Sequence, residues 1–126
     1  MKTILTGNVL WSFDFEVLQR NRNTDFAFHF SGVKPFHAHA GDIVLTEKSV
    51  QITGSDELEI LLGDLSQLYL GFDDVYTMML SKNFGLFWQP LRLTLNDDTV
   101  LYLIIDYNFT GTKNKLWFTK LKEMLA

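Results

Sequence analysis

His37-Ala38-His39 is the arrangement in this chain best suited to chemistry. Residues two apart on a strand project from the same face, so both imidazoles could reach one metal ion. His29 is the only further histidine, and Glu47 is the next glutamate after the pair. The alternative is a polar strand edge beside a loop, with partly solvated imidazoles and no metal. That alternative is the one adopted: no cofactor and no metal is expected. The adjacent acidic pairs Asp56-Glu57, Asp73-Asp74 and Asp97-Asp98 do not suit paired acid–base work. Neighbours on a strand face opposite ways, and neighbours in a turn face water. Asp106 ends an apolar run with no visible partner. Nucleophile motifs are also missing: there is no cysteine and no Gly-x-Ser-x-Gly elbow, and the eight glycines are scattered singly. A non-enzymatic chain is expected.

A second kind of chemistry is recognition through apolar contact. Phe84-Gly85-Leu86-Phe87-Trp88 concentrates three aromatic rings within five positions. On a loop, Phe84, Leu86, Phe87 and Trp88 would form an exposed patch of the kind that marks interfaces. The other reading is core, entering the strand that starts at Leu91.

Composition narrows the classes. The chain has 126 residues, the size of one domain, and a formal net charge of −4. From Asp42 to Asp106 eleven carboxylates face three basic side chains; from Thr112 onward four lysines face one glutamate. A nucleic-acid surface requires a basic field, and the body of this chain is acidic. Only the C-terminal segment offers a lysine stripe, so membrane contact would be peripheral if any. The N-terminal apolar stretch is interrupted by Gly7, Asn8 and Asp14, too short and mixed for a secretory signal, and no stretch approaches a membrane span. A cytoplasmic location is expected.

Period-two alternation identifies most of the elements that must carry these residues. Phe13, Phe15 and Val17 alternate with Ser12, Asp14 and Glu16, and Phe26, Phe28 and Phe30 repeat the pattern, predicting a hairpin or neighbouring pair. Asp42–Thr46 and Ser49–Thr53 flank Glu47-Lys48 as a second hairpin. Leu58–Leu62 is a strand, Gly63-Asp64 permits a bend, and Leu65–Phe72 continues. Leu91–Leu95 and Val100–Ile105 flank the turn Asn96-Asp97-Asp98-Thr99. Val75–Leu80 fits either a strand or a helical turn. After Gly111, with Thr112 as N-cap, one amphipathic helix presents Trp117, Leu121, Met124 and Leu125 on one side, with Phe118 beside them. The fold expected is α+β, mainly β: a bent antiparallel sheet or small barrel of about seven to eight strands capped by one C-terminal helix.

Two resemblances attach to these residues. The hairpin Gly41–Ile52, the pair Glu59–Leu65 to Phe72, and the closing hairpin with its Trp-bearing helix together resemble the pleckstrin-homology-like superfamily, including its GRAM and bacterial versions. The resemblance is carried by residues 41–125 and implies a single domain over residues 1–126, with residues 1–25 as a possible extra N-terminal hairpin. It implies lipid-headgroup binding around an early hairpin loop, but here that loop is Glu47-Lys48, one lysine among carboxylates. Separately, Gly32, His37, His39, Glu47 and Gly54 resemble the first metal motif of cupins. They depart from it in the placement of the glutamate and in the lack of any histidine after position 39. The function expected is an interaction module that binds a protein segment or assembles with itself. The alternatives are a lipocalin-like barrel for an apolar small molecule and a cupin-type metal enzyme.

Overall fold

The computed structural model describes residues 2–19, 35–77, 88–108 and 111–126. Seven antiparallel strands form one sheet: β1 (Thr3–Phe13), β2 (His39–Thr46), β3 (Ser49–Gly54), β4 (Leu58–Leu61), β5 (Leu65–Leu70), β6 (Leu91–Leu95) and β7 (Val100–Ile105). Their spatial order is β4-β3-β2-β1-β7-β6-β5. Each strand lies beside its neighbour in sequence wherever that neighbour is paired, and β1 pairs with β7. The two outer edges are β4 and β5, yet only a three-residue 3-10 turn, Leu62–Asp64, separates them in the chain. Opposite edges of a seven-stranded sheet can meet at one corner only if the sheet curls. The result is a half-barrel, mainly β, with one C-terminal helix, α2 (Asn114–Leu125).

The curl divides the apolar side chains into two cores. On the concave side, Val9 and Trp11 of β1, Ile43 and Leu45 of β2, Leu91 and Leu93 of β6, and Leu101, Leu103 and Ile105 of β7 pack beneath Trp117 and Leu121 of α2. On the convex side, Leu10, Val17, Tyr76, Trp88, Tyr102 and Ile104 form a second core. Residues 9–12 of β1 and most of β7 are therefore buried on both faces, and this explains why Val100–Ile105 reads as a continuous apolar run. The first strand is not an appendage. It is the middle of the sheet, paired with β2 from Thr3↔Thr46 to Trp11↔His39 and with β7 from Val9↔Ile105 to Phe13↔Leu101.

The expected strand Ser12–Val17 needs correction. β1 ends at Phe13, and Asp14–Leu18 is a short helix, α1. Glu16, at the third helical position, accepts the Phe13 N–H at 2.8 Å and closes the helix start. The alternation is then broken: Val17 is buried, whereas Phe15 is 53% exposed. The proposed strand at Phe26–Phe30 and the end of Val75–Leu80 lie outside the described residues. Both later hairpins stand where expected.

In α2, Trp117 and Leu121 are buried and Phe118 and Met124 half-buried, but Leu125 is exposed. Lys113 occupies the cap position, and the Thr112 hydroxyl accepts the Asn114 N–H at 3.2 Å. Asn114 is the buried anchor of the helix. Its Oδ1 accepts the Ile105 N–H at 2.8 Å, and its Nδ2 donates to the carbonyls of Gln89 at 2.7 Å and Leu103 at 3.0 Å.

Glycine is required where β2 and β3 approach most closely. Gly41 and Gly54 oppose each other; a Cβ on Gly41 would lie 1.8 Å from the Thr53 carbonyl oxygen, and Gly54 has φ +131°. No side chain fits there without spreading the strands. The chain turns at once into Ser55-Asp56, and this brings Asp56 back toward the start of β2.

Candidate polar site on the convex face

Arg92 is the one charged residue in the alternating run Leu91–Leu95, and alternation sends it to the face opposite Leu91 and Leu93. On that convex face, register places Tyr69, Arg92 and Tyr102 side by side across β5, β6 and β7, and Gln67, Thr94 and Val100 in the next row. The segment after β5 then folds over the face. Asp73 is the hub. Its Oδ1 accepts the N–H groups of Val75 at 2.9 Å and Tyr76 at 2.7 Å. Its Oδ2 accepts Arg92 Nη1 at 2.9 Å and the Tyr102 hydroxyl at 2.7 Å. Arg92 Nη2 donates to Gln67 Oε1 at 2.9 Å, and its guanidinium lies 4.5 Å from the centre of the Tyr69 ring.

These side chains form the floor and walls of a cavity of about 380 Å³, bounded by Asp14 of α1, Gln67, Asp73, Asp74, Arg92 and Tyr102. That volume lies within the range of small-ligand pockets. Burial pushes the Asp73 carboxyl upward, but the hydrogen bonds from Tyr102, the Tyr76 N–H, Arg92 and the Val75 N–H outweigh it and hold the group below its ordinary value. Burial, reinforced by the Asp73 carboxylate, drives the Tyr102 phenol well above its usual range. Asp73 is thus a fixed anion and Tyr102 a fixed donor. Among the described residues no cation pairs with Asp14 or Asp74, which stand on the cavity wall beside Asp73. Among the described residues neither histidine nor serine lines the cavity, and Tyr102 and Arg92 are both tied to Asp73.

The two histidines separate. His37 Nδ1 contacts the Pro35 carbonyl oxygen at 2.8 Å. His39, at the start of β2, instead lies between two carboxylates: Nδ1 is 2.5 Å from Asp56 Oδ2, and Nε2 is 2.8 Å from Glu16 Oε2. Its ring stacks on Trp11, the residue directly opposite in β1, at 4.2 Å between centroids. Both ring nitrogens are engaged, and no group of three or more potential ligands suited to a metal ion occurs among the described residues. The chain enters β2 only at His39, so the two histidines do not share a strand as their i, i+2 spacing would allow.

Trp88 is buried at 7% exposure, 6.4 Å from the Phe72 ring and 6.2 Å from the Tyr107 ring. It belongs to the convex core. Phe84, Leu86 and Phe87 lie outside the described residues. Asp106 has found a partner: its Oδ1 accepts the Asn8 N–H at 2.9 Å. Sequence reasoning missed Asp73, Arg92 and Tyr102 as a group. The available signal was a lone arginine on an otherwise apolar alternating strand.

No protein-family profile matches the chain, and no curated protein matches it significantly. Among the described residues no helix is long and apolar enough to cross a membrane.

Proposed function

We propose that this chain is a non-enzymatic interaction module that receives an extended protein segment, from another protein or a second copy, along the outer edge of β5. The observation that carries the reading is the juxtaposition of edge and cavity. β5 has β6 on one side and, among the described residues, no strand on the other. Its Ser66, Gln67 and Tyr69 are exposed, and Gln67 is also a wall of the polar cavity. An unpaired edge supplies main-chain hydrogen bonds to an added strand, and a cavity beside it supplies a place for one side chain. The meander order and the terminal helix are compatible with a pleckstrin-homology-like relationship. A cytoplasmic location accords with this reading.

The apolar-ligand barrel draws less support, because Trp117 and Leu121 fill the concave side. The cupin-type reading also draws less support, because both ring nitrogens of His39 face carboxylates and His37 Nδ1 faces the Pro35 carbonyl. Two measurements test the proposal. Sedimentation velocity over a wide concentration range reads self-assembly, and selection from a phage-displayed random peptide library reads segment binding. At least one is expected to be positive and to be weakened by Gln67→Arg, which fills the cavity mouth from β5. A monomer at all concentrations that also selects no peptide contradicts the proposal.

A further inference from the structure

We propose that Glu16, His39 and Asp56 form a proton-controlled clasp that fixes α1 to the sheet and, through α1, sets the acidic wall of the convex cavity. Three separate parts of the chain meet at His39. Glu16 comes from α1, Asp56 from the connection between β3 and β4, and Trp11 from β1. The imidazole is a switchable link because of its donor count. A neutral imidazole has one N–H and one bare nitrogen; only the imidazolium offers an N–H at both. The geometry at His39 presents a carboxylate acceptor at each nitrogen, 2.5 Å and 2.8 Å away. The complete clasp is therefore the doubly protonated form.

The charged groups facing His39 are few. From α1 it is Glu16, from the β3–β4 connection it is Asp56, and β1 supplies only the aromatic faces of Trp11 and Phe13. Among the described residues neither carboxylate has another ionic partner. Loss of a proton from His39 thus does two things at once. It removes one N–H donor, and it leaves two carboxylates facing a neutral ring from opposite sides. At least one contact must open.

Helix α1 is short. It has five residues, and Val17 is the one it buries. The same helix carries Asp14 to the cavity wall. Opening at Glu16 consequently loosens a wall of the site, so that the cavity is complete when His39 is charged and relaxed when it is not. The clasp stands without the partner reading; its bearing on partner binding rests on it.

NMR of the whole chain tests the clasp without any ligand. The His39 ring nitrogens and the exchange rate of the Gln19 amide, whose N–H closes α1 on the Phe15 carbonyl at 3.2 Å, are followed from about pH 5 to 9, where histidines change charge. The expected result is that both ring nitrogens are protonated at the acid end. Protection of the Gln19 amide, after correction for the intrinsic pH dependence of exchange, then falls about tenfold or more with the same midpoint as His39. His37→Gln keeps that co-titration, and His39→Gln abolishes it. Protection that stays level through the His39 titration, or a ring carrying a single proton across the whole range, overturns the proposal. Because the wild-type titration is decisive alone, a His39 variant that fails to fold leaves the test intact. A peptide-binding failure with an intact co-titration would count against the partner reading only.

Discussion

Asp73 shows how one side chain can organise a surface. It lies 19 positions before Arg92 and 29 before Tyr102, and it joins both to the turn that follows it. Four donors converge on one carboxylate, so its loss leaves several half-buried groups without acceptors. Asp73→Asn is expected to cost about 2–4 kcal/mol at neutral pH, measured by urea denaturation, since an amide replaces acceptor capacity with a donor facing Arg92. The pH dependence follows from the sign of its shift. A carboxyl held below its unfolded value contributes fully above that value, near 3.8, and the contribution disappears as pH falls through the folded value. Wild-type stability should therefore decline below about pH 4 more steeply than that of Asp73→Asn, whose curve lacks this component. Equal slopes in the two proteins would contradict the hub role.

Elements with strong local periodicity and a clear turn were legible in the sequence; those built by a single local contact were not. The hairpin β6–β7 announced itself through two alternating runs around Asn96-Asp97-Asp98-Thr99. Leu95 donates to the Thr99 carbonyl at 2.8 Å and accepts the Asp98 N–H at 3.0 Å, and Asp98 takes φ 71°. That left-handed position favours glycine, so Asp98→Gly is expected to raise stability by up to about 1 kcal/mol, read as a higher denaturation midpoint. Helix α2 was legible from its spacing, but its anchor was not. Nothing in the local pattern distinguishes Asn114 from a surface asparagine, because its partners Gln89, Leu103 and Ile105 come from other elements. Asn114→Ala strands a buried N–H and two carbonyls and is expected to cost about 2–4 kcal/mol, with the midpoint falling and the denaturant slope unchanged. Helix α1 was hidden by alternation that continues past the strand: Glu16 closes the turn, and this was visible only once Phe13 was known to end β1. The convex site was illegible for a related reason, since only cross-strand register brings Arg92 beside Tyr102.

At the scale of the whole molecule, the meander fixes which surfaces are available. A three-residue turn joins β4 to β5, so the sheet curls, α2 fills the concave side, and the outer edges of β4 and β5 diverge from one corner. Of these edges, β5 is the one bordering a polar cavity, and the account of function depends on that adjacency. The decisive measurement is amide chemical-shift mapping of the ¹⁵N-labelled chain, titrated with a peptide selected against it or with the unlabelled chain itself. The largest changes are expected to run along Leu65–Leu70 and continue to Arg92 and Thr94. Changes centred on α2 or β4 with β5 unmoved would contradict it.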